Sequence, residues 1–173
     1  LDDLRRFNAL QQTSLPCYGS KHTLDVLQRM FPYAFADDPD YPSAKPHLTL
    51  HPIDGPFELF GMPVVPVPLW HGRLPILGYR VGRFAYCTDC SRIPEESIER
   101  LSGLDVLVLD ALRRRPHPTH MNLDQAVAAA RRIGARRTLF THIAHELMHE
   151  AVNAELPAGM ALAYDGQVIE VEP

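Results

Sequence analysis

Apolar residues near the start of the chain recur at helical spacing and are followed by shorter apolar runs. The spacing predicts one helix over residues 1–11 and a second over residues 21–31, the latter with Ser20 as its N-cap. Between them, the apolar run Leu15–Gly19 predicts a buried strand. Residues 32–46 are rich in Pro, Asp, Tyr and Ser, which predicts a long surface loop that could act as a lid or contact a partner.

The rest of the chain has the pattern of a meandering sheet followed by alternating strands and helices. Turns with Gly or Pro separate short apolar runs, which predict strands over residues 47–53, 57–60, 64–69, 77–81 and 84–87. Further strands are predicted over residues 106–109 and 138–141, helices over 94–101, 123–133 and 149–156, and a closing hairpin over 160–163 and 167–171. Pro94 is predicted at the first helical position. This order indicates an α/β layered sandwich.

Length and composition narrow the class of protein. With 173 residues, 46% of them hydrophobic and 22% charged, the chain predicts a single globular domain over residues 1–173. The formal net charge of -4 argues against an extensive nucleic-acid-binding surface. One local basic run, Arg113-Arg114-Arg115, has two interpretations, a solvated surface loop or a contact with an anionic substrate.

The sequence also bears on cellular location. No window approaches the run of about 18 apolar residues that a transmembrane helix needs, and the charged residues 1–6 are unlike a signal peptide. Cys17, Cys87 and Cys90 are an odd number at no framework spacing, which favours a reduced, cytoplasmic setting. The chain enters its first helical pattern at Leu1 without a capping residue, so we expect that upstream sequence is missing.

Polar residues follow four of the predicted strands where each strand ends. In chain order these residues are His71, Asp89, Asp110 and His142. Side chains projecting from one end of a sheet can meet in a single cleft, and imidazole with carboxylate is a ligand set of zinc, manganese or iron. A single histidine at a strand end is more often structural, and the four together leave the structural and the metal-binding interpretations both open.

The segment Cys87-Thr88-Asp89-Cys90 has a Cys-x-x-Cys spacing, which is typical of redox or zinc-knuckle sites. The pair brackets Asp89 at a strand end, whereas a helix N-terminus would lower a thiol pKa. A redox role is therefore disfavoured against two other interpretations, a partial metal ligand or an oxidation-sensitive neighbour of the site.

Several segments resemble the metallo-β-lactamase superfamily, and within it the PhnP-like cyclic phosphodiesterase branch. In order along essentially the whole chain, they are Leu1-Asp2-Asp3-Leu4-Arg5, His71-Gly72 with Leu77-Gly78-Tyr79-Arg80, Thr88-Asp89, Leu109-Asp110-Ala111-Leu112-Arg113, Pro116-His117-Pro118-Thr119-His120, and Thr141-His142-Ile143-Ala144-His145. The resemblance implies an αββα four-layer sandwich, of which this chain is the C-terminal two-thirds. The family's His-x-His-x-Asp-His motif would lie immediately before Leu1, so we expect this fragment alone to lack four of the usual seven ligands and to be inactive.

The resemblance also implies roles for individual residues. His71 completes the three-histidine set of one metal, Asp89 bridges both metals, and His142 binds the second. His120 matches a histidine that serves the leaving group without binding metal. His145 is expected to lie in the second shell around these ligands.

Asp110 is likewise expected in the second shell. The intact protein is accordingly expected to bind two divalent ions, Zn²⁺ or Mn²⁺, whose activated hydroxide hydrolyses a small, cyclic phosphodiester-type substrate. Alternatives are a lactone, a thioester or an RNA phosphodiester as substrate, or a non-catalytic remnant that serves as a binding module. We expect no membrane association, and a homodimer is an open option.

Overall fold

The computed structural model describes residues 1–36 and 44–171. The chain divides into two compact units, Leu1–Asp54 and Gly55–Pro173. The described strands of the first unit form a sheet of two, and those of the second form a sheet of seven. The single domain expected over residues 1–173 stays a prediction. Within the described ranges, no helix combines the length and the apolar character that crossing a bilayer requires.

The first unit has a small parallel sheet, and its helices come before and between the two strands along the chain. Its elements are α1 (Leu4–Gln11), β1 (Leu15–Gly19), α2 (Lys21–Met30), α3 (Pro32–Phe35) and β2 (Leu48–Pro52). β1 and β2 pair in parallel, with Leu15 opposite Leu48. The predicted N-cap at Ser20 is confirmed, because its side chain accepts a hydrogen bond from the backbone N–H of Thr23.

Part of the segment predicted as a surface loop, residues 32–46, is helical. Pro32 lies in the first turn of α3, where its fixed φ and missing N–H are favourable. The prediction was wrong here because Pro32 marks the start of a helix rather than irregular structure. Residues 37–43 of the same segment lie outside the described residues, so the lid or partner contact expected there stays a prediction.

The second unit is built on a seven-stranded sheet whose strands lie side by side in chain order. They are β3 (Phe57–Leu59), β4 (Met62–His71), β5 (Leu74–Val81), β6 (Phe84–Cys87), β7 (Val106–Asp110), β8 (Arg137–Thr141) and β9 (Met160–Leu162). Neighbours from β3 to β6 are antiparallel, and those from β6 to β9 are parallel. Because β4 and β6 are both antiparallel to β5, β4 runs in the same direction as β6, β7 and β8. The C-terminal ends of these four strands therefore meet at one edge of the sheet.

Prolines inside β4 are accommodated because a helix, rather than a strand, covers most of one side of it. β3 is three residues long and pairs only with the start of β4. Further along, the helix α4 (Glu95–Arg100) takes over: the Ser97 hydroxyl donates to the carbonyl oxygen of Pro68 at 2.6 Å, and the Arg100 guanidinium donates to that of Pro66 at 3.0 Å. Proline has no N–H to leave unpaired, so it is suited to this side of the strand.

One of the described helices of this unit has capping residues at both ends. The predicted bounds of α5 (Leu123–Ile133) are confirmed, because Asn122 and Gln125 form a capping box and Gly134 ends the helix in the left-handed conformation. α4 begins one residue later than predicted: Pro94 is extended, with ψ 156°, and serves as the N-cap rather than the first helical residue. The third helix, α6, spans His149–Glu155.

The hairpin predicted to close the chain is wrong. β9 pairs in parallel with β8, with Met160 opposite Thr138, and so extends the main sheet. Residues 168–171 form no strand. Val168 is 86% exposed, so burial of its apolar surface does not stabilise a strand there. The Asp165-Gly166 turn does form, but only the first arm has a partner.

Gly78 in β5 offers a test of how tightly this sheet is packed. A Cβ atom at Gly78 would lie 2.8 Å from Cys87 Sγ and 2.9 Å from the carbonyl oxygen of Tyr86, whereas one at Gly55 would meet nothing within 4 Å. We expect Gly78→Ala to lower the free energy of unfolding by about 1–3 kcal/mol through overpacking, measured by urea denaturation. Gly55→Ala is the control and is expected to change it little. Equal effects of the two substitutions would contradict the close packing.

Candidate metal centre

Four strand ends place the predicted ligands at the same edge of the sheet. His71 is the last residue of β4, Asp110 is the last of β7, and His142 directly follows β8, while Asp89 follows β6 by two residues. His120 comes from the loop between β7 and α5 and reaches the same edge. Strand direction alone therefore brings together residues that lie up to 71 positions apart in sequence.

The imidazole rings and the Asp89 carboxylate lie at short distances from one another. His142 Nε2 is 3.5 Å from Asp89 Oδ1, and His71 Nε2 is 3.3 Å from His120 Nε2. Asp89, His120 and His142 can each offer one ligand atom within 4.8 Å of the others. The ring centre of His120 lies 4.8 Å from that of His71 and 4.7 Å from that of His142. The structure thus forms one cluster of three histidines and one aspartate.

This donor set fits a divalent metal of the zinc and manganese class. Two nitrogen ligands on one tetrahedral zinc lie about 3.3 Å apart, which is the spacing of the His71 and His120 Nε2 atoms. Burial lowers the pKa of His120, and its neighbours His142 and His71 lower it further. Neutral imidazole is the form that binds metal. From the sequence, His120 is expected to act without contacting the metal. The distance between its Nε2 and that of His71 also suits a ligand, so the role of His120 stays a prediction.

The backbone at two of these residues is strained. Asp89 has φ 59° and His142 has φ 58°, both in the left-handed region. Aspartate and histidine occur there more often than most residues but less readily than glycine. Such conformations persist where the surrounding structure enforces them, and they cluster at functional sites. No spacing or composition signal in the sequence indicated this feature.

Asp110 ties together the two loops that carry Asp89 and His120. Its buried carboxylate accepts hydrogen bonds at Oδ1 from both the backbone N–H and the thiol of Cys90, each at 3.1 Å, and at Oδ2 from the backbone N–H of Met121 at 3.4 Å. Burial raises the pKa of Asp110, and the hydrogen bonds from Cys90 and Met121 oppose that rise. The expected position of Asp110 behind the ligands is consistent with this geometry.

Ser91 holds the loop after β6 against the end of β4, a contact that the sequence analysis missed. Its hydroxyl donates to the carbonyl oxygen of Trp70 at 3.0 Å and accepts from the backbone N–H of Gly72 at 2.9 Å. Trp70 also forms a β-bridge with Arg92. These bonds fix the backbone on both sides of His71 and just beyond Asp89. Serine is too common in loops for its position to signal this role.

His117 is a second residue for which the sequence predicted no position in the cluster. The sequence indicated only that it shapes the loop that carries His120. Its ring centre lies 5.0 Å from that of His120. His117 Nδ1 accepts from the backbone N–H of Thr119 at 3.4 Å, so the neutral ring carries its proton on Nε2. The histidine cluster therefore extends one ring beyond the predicted ligands.

Two other sequence-based expectations gain no support from the structure. His145 is exposed, and none of its contacts among the described residues links it to the cluster. In the basic run, Arg113 donates to the carbonyl oxygen of Pro116, Arg114 pairs with Glu155, and Arg115 pairs with Glu146. These contacts favour the solvated surface loop over a contact with substrate.

The cysteine pair beside Asp89 is buried and reduced. Cys87 and Cys90 are free thiols with 0% exposure. Burial, aided by the charge of Asp110, raises the pKa of Cys87 to about 12 and also raises that of Cys90. Thiolate is the reactive form, so both features disfavour the redox interpretation.

A mixed sheet with a histidine and aspartate cluster at the C-terminal edge of its parallel strands defines a metallo-β-lactamase-fold protein. The chain matches the beta-lactamase superfamily domain over residues 1–143 and belongs to that family. The predicted superfamily and fold class are thereby confirmed. The expectation of metal-dependent hydrolysis stays a prediction for this chain.

Comparison with individual proteins adds relatives of known name. The chain is 45% identical to a diphosphatase from the PhnP family whose crystal structure is known, with a TM-score of 0.81, over 90% of this chain and 57% of that one. It is 18% identical to Zn²⁺-bound PqqB from Methylobacterium extorquens, with a TM-score of 0.66, over 92% of this chain and 66% of that one. It is also 35% identical to a protein named octanoyltransferase from Porphyromonas gingivalis, over 96% of this chain and 34% of that protein. The chain thus spans about a third of the curated relative and just over half of the PhnP-family diphosphatase.

Thiol labelling tests the burial of the cysteine pair. Cys17 is partly exposed, whereas Cys87 and Cys90 are buried. We expect the folded protein to react rapidly with a disulfide reagent at one of these three thiols, and at all three after unfolding in urea. Cys17→Ser should abolish the rapid phase. Rapid labelling of Cys87 or Cys90 in the folded protein would revive the redox interpretation.

Proposed function

We propose that this chain belongs to a metal-dependent hydrolase that acts on small phosphodiesters. The observation that carries the proposal is a cluster in which Asp89, His120 and His142 can offer ligand atoms within 4.8 Å of one another, with His71 Nε2 3.3 Å from His120 Nε2. The 45% identity to a PhnP-family diphosphatase supports phosphoryl chemistry. The same similarity makes hydrolysis of a diphosphate bond the second candidate function.

The name of the curated relative does not lead to an acyl-transfer proposal. This chain matches only 34% of the octanoyltransferase from Porphyromonas gingivalis. The two thiols near the site, Cys87 and Cys90, are buried and have raised pKa values, so they are unsuited to hold an acyl group. A lactone or a thioester stays an alternative substrate that a substrate panel distinguishes, and an RNA phosphodiester stays a further alternative.

In the proposed mechanism, the residues of the cluster have separate tasks. His71, Asp89 and His142 would hold the metal, alongside further ligands of the intact protein. A divalent metal held there supplies Lewis acidity to a phosphoryl group and to water. The Asp89 side chain is 56% exposed, so its carboxylate can be reached from solvent. Zn²⁺ and Mn²⁺ both suit this donor set.

His120 would give a proton to the leaving oxygen. Its Nε2 faces the cluster, 3.3 Å from His71 Nε2, and the residue is 9% exposed. Burial lowers the pKa of His120 in the free protein, but an anionic phosphate group beside the ring raises it again. Proton donation of this kind contributes about 10²–10⁴-fold to rate.

Substitution of His120 separates its two candidate roles. In the full-length gene product, we expect His120→Ala to retain bound metal but to lose about 10²–10⁴-fold in kcat. His142→Ala is expected to weaken metal binding by more than about 10-fold, because ligand loss exceeds the effect of losing a supporting residue. Metal content is measured by atomic emission, with the exposed His22→Ala as control. Metal loss in His120→Ala would make His120 a ligand.

A substrate panel tests the proposed reaction. We expect the full-length gene product with added Mn²⁺ or Zn²⁺ to hydrolyse bis-p-nitrophenyl phosphate or a 2′,3′-cyclic nucleotide, and to lose this activity with EDTA. Cleavage of a nucleoside diphosphate ester instead would favour the second candidate. Turnover of a lactone or thioester alone, or of no substrate at all, would count against phosphoryl chemistry. The cytoplasmic setting and the homodimer stay predictions.

A further inference from the structure

Three buried side chains lie in a row from the cysteine pair to the candidate metal centre. Cys90 and Asp110 are each 0% exposed. Asp110 Oδ1 accepts from both the thiol and the backbone N–H of Cys90, so both of its lone pairs are used. The carboxylate cannot rotate without losing these bonds. Its second oxygen, Oδ2, is therefore held pointing away from Cys90.

His120 lies at the other end of this row, and one of its ring nitrogens lacks a hydrogen-bond partner among the described residues. That nitrogen, Nδ1, is buried. Asp110 Oδ2 lies 3.8 Å from this nitrogen, and the one hydrogen bond that Oδ2 accepts, from Met121, is long at 3.4 Å. A buried polar atom without a partner costs about 1–3 kcal/mol. A closer approach of less than about 1 Å would form a normal hydrogen bond.

We propose that Asp110 is a positioning residue that accepts the Nδ1 proton of His120, and that the Cys90 thiol holds Asp110 in the orientation this requires. The bond fixes the neutral ring of His120 in the Nδ1–H tautomer. Its Nε2 atom, which faces His71, is then the nitrogen available to the metal centre and the substrate. This inference rests on the proposed function for its catalytic consequence, but not for the tautomer.

The chemistry of each member suits its place. Cys90 donates through a neutral thiol, so it orients the carboxylate without adding a charge to this buried row of side chains. Asp110 accepts hydrogen bonds from the backbone N–H and thiol of Cys90 and from the backbone N–H of Met121, all of them neutral donors. A carboxylate next to Nδ1–H stabilises the positive charge of a protonated His120 as well as the ring orientation. The Cys-x-x-Cys spacing is thus explained by packing for Cys87 and by orientation of Asp110 for Cys90.

Nitrogen NMR of histidine tests the tautomer directly. In the ¹⁵N-histidine-labelled full-length gene product, with and without Zn²⁺, the His120 signals are assigned by their loss in His120→Ala. We expect the proton on Nδ1 in the wild type and in Cys90→Ser, which keeps a donor. Asp110→Asn offers an N–H to Nδ1 and should move the proton to Nε2. A wild-type proton on Nε2, or no change in Asp110→Asn, would overturn the proposal.

Cys90→Ala is the matched comparison, since it removes the donor while changing little else. We expect a mixture of tautomers in Cys90→Ala and the wild-type pattern in Cys90→Ser. Both variants keep the Asp110 carboxylate, so the comparison holds if Asp110→Asn fails to fold. Identical spectra for Cys90→Ala and the wild type would contradict the role of the thiol.

Leaving-group dependence tests the catalytic consequence. p-Nitrophenolate departs without a proton, whereas an alkoxide needs one, so a defect in His120 should depend on the substrate. We expect Asp110→Asn to lower kcat for an alkyl phosphodiester at least about 10-fold more than for bis-p-nitrophenyl phosphate, with metal content and KM unchanged. Equal losses for both substrates would indicate a structural role instead. Absence of wild-type turnover would sink the proposed function but leave the NMR result standing.

Discussion

The site depends on one constraint, the common direction of four strands in a single sheet. β5 reverses the chain once between β4 and β6, and from β6 onward the pairing is parallel. Every residue placed at the C-terminal end of these strands is thereby delivered to the same edge. The prolines of β4 fit this arrangement, because α4 rather than another strand lies along that side, with Ser97 and Arg100 donating to the carbonyl oxygens of Pro68 and Pro66. The loop that carries Asp89 can then close over the end of β4.

Much of this architecture could be predicted because local signals and tertiary packing agree. α5 has its capping box and its terminal Gly134 written in adjacent residues, and β1 is followed directly by Ser20, the N-cap of α2. The strand-end positions of His71, Asp89 and His142 were also visible, since apolar runs stop abruptly there. Pattern alone could not distinguish ligands from structural residues. Ordered resemblance along the chain made that distinction, and the short distances between the side chains are consistent with it.

The remaining features were out of reach because they depend on partners distant in sequence. The alternating segment after Gly166 has the pattern of a strand, but residues 168–171 form no strand and Val168 is 86% exposed. β4 and β5 extend to His71 and Leu74, further than predicted, because the two strands stay paired up to the turn between them, through Trp70 opposite Pro75. The place of Asp110 in the Cys90 and Met121 hydrogen bonds likewise follows from two loops meeting, which no local spacing reveals.

The left-handed backbone at Asp89 and His142 indicates that these two side chains are retained in spite of their conformational cost. Each residue holds a conformation that costs roughly 1–2 kcal/mol relative to ordinary helical or extended backbone and that glycine adopts freely. Stability alone would favour glycine at both positions. Selection for the side chains must oppose that drift for as long as the chemistry is needed. Glycine at both positions would therefore be expected in a protein of this fold whose function does not need the Asp89 and His142 side chains.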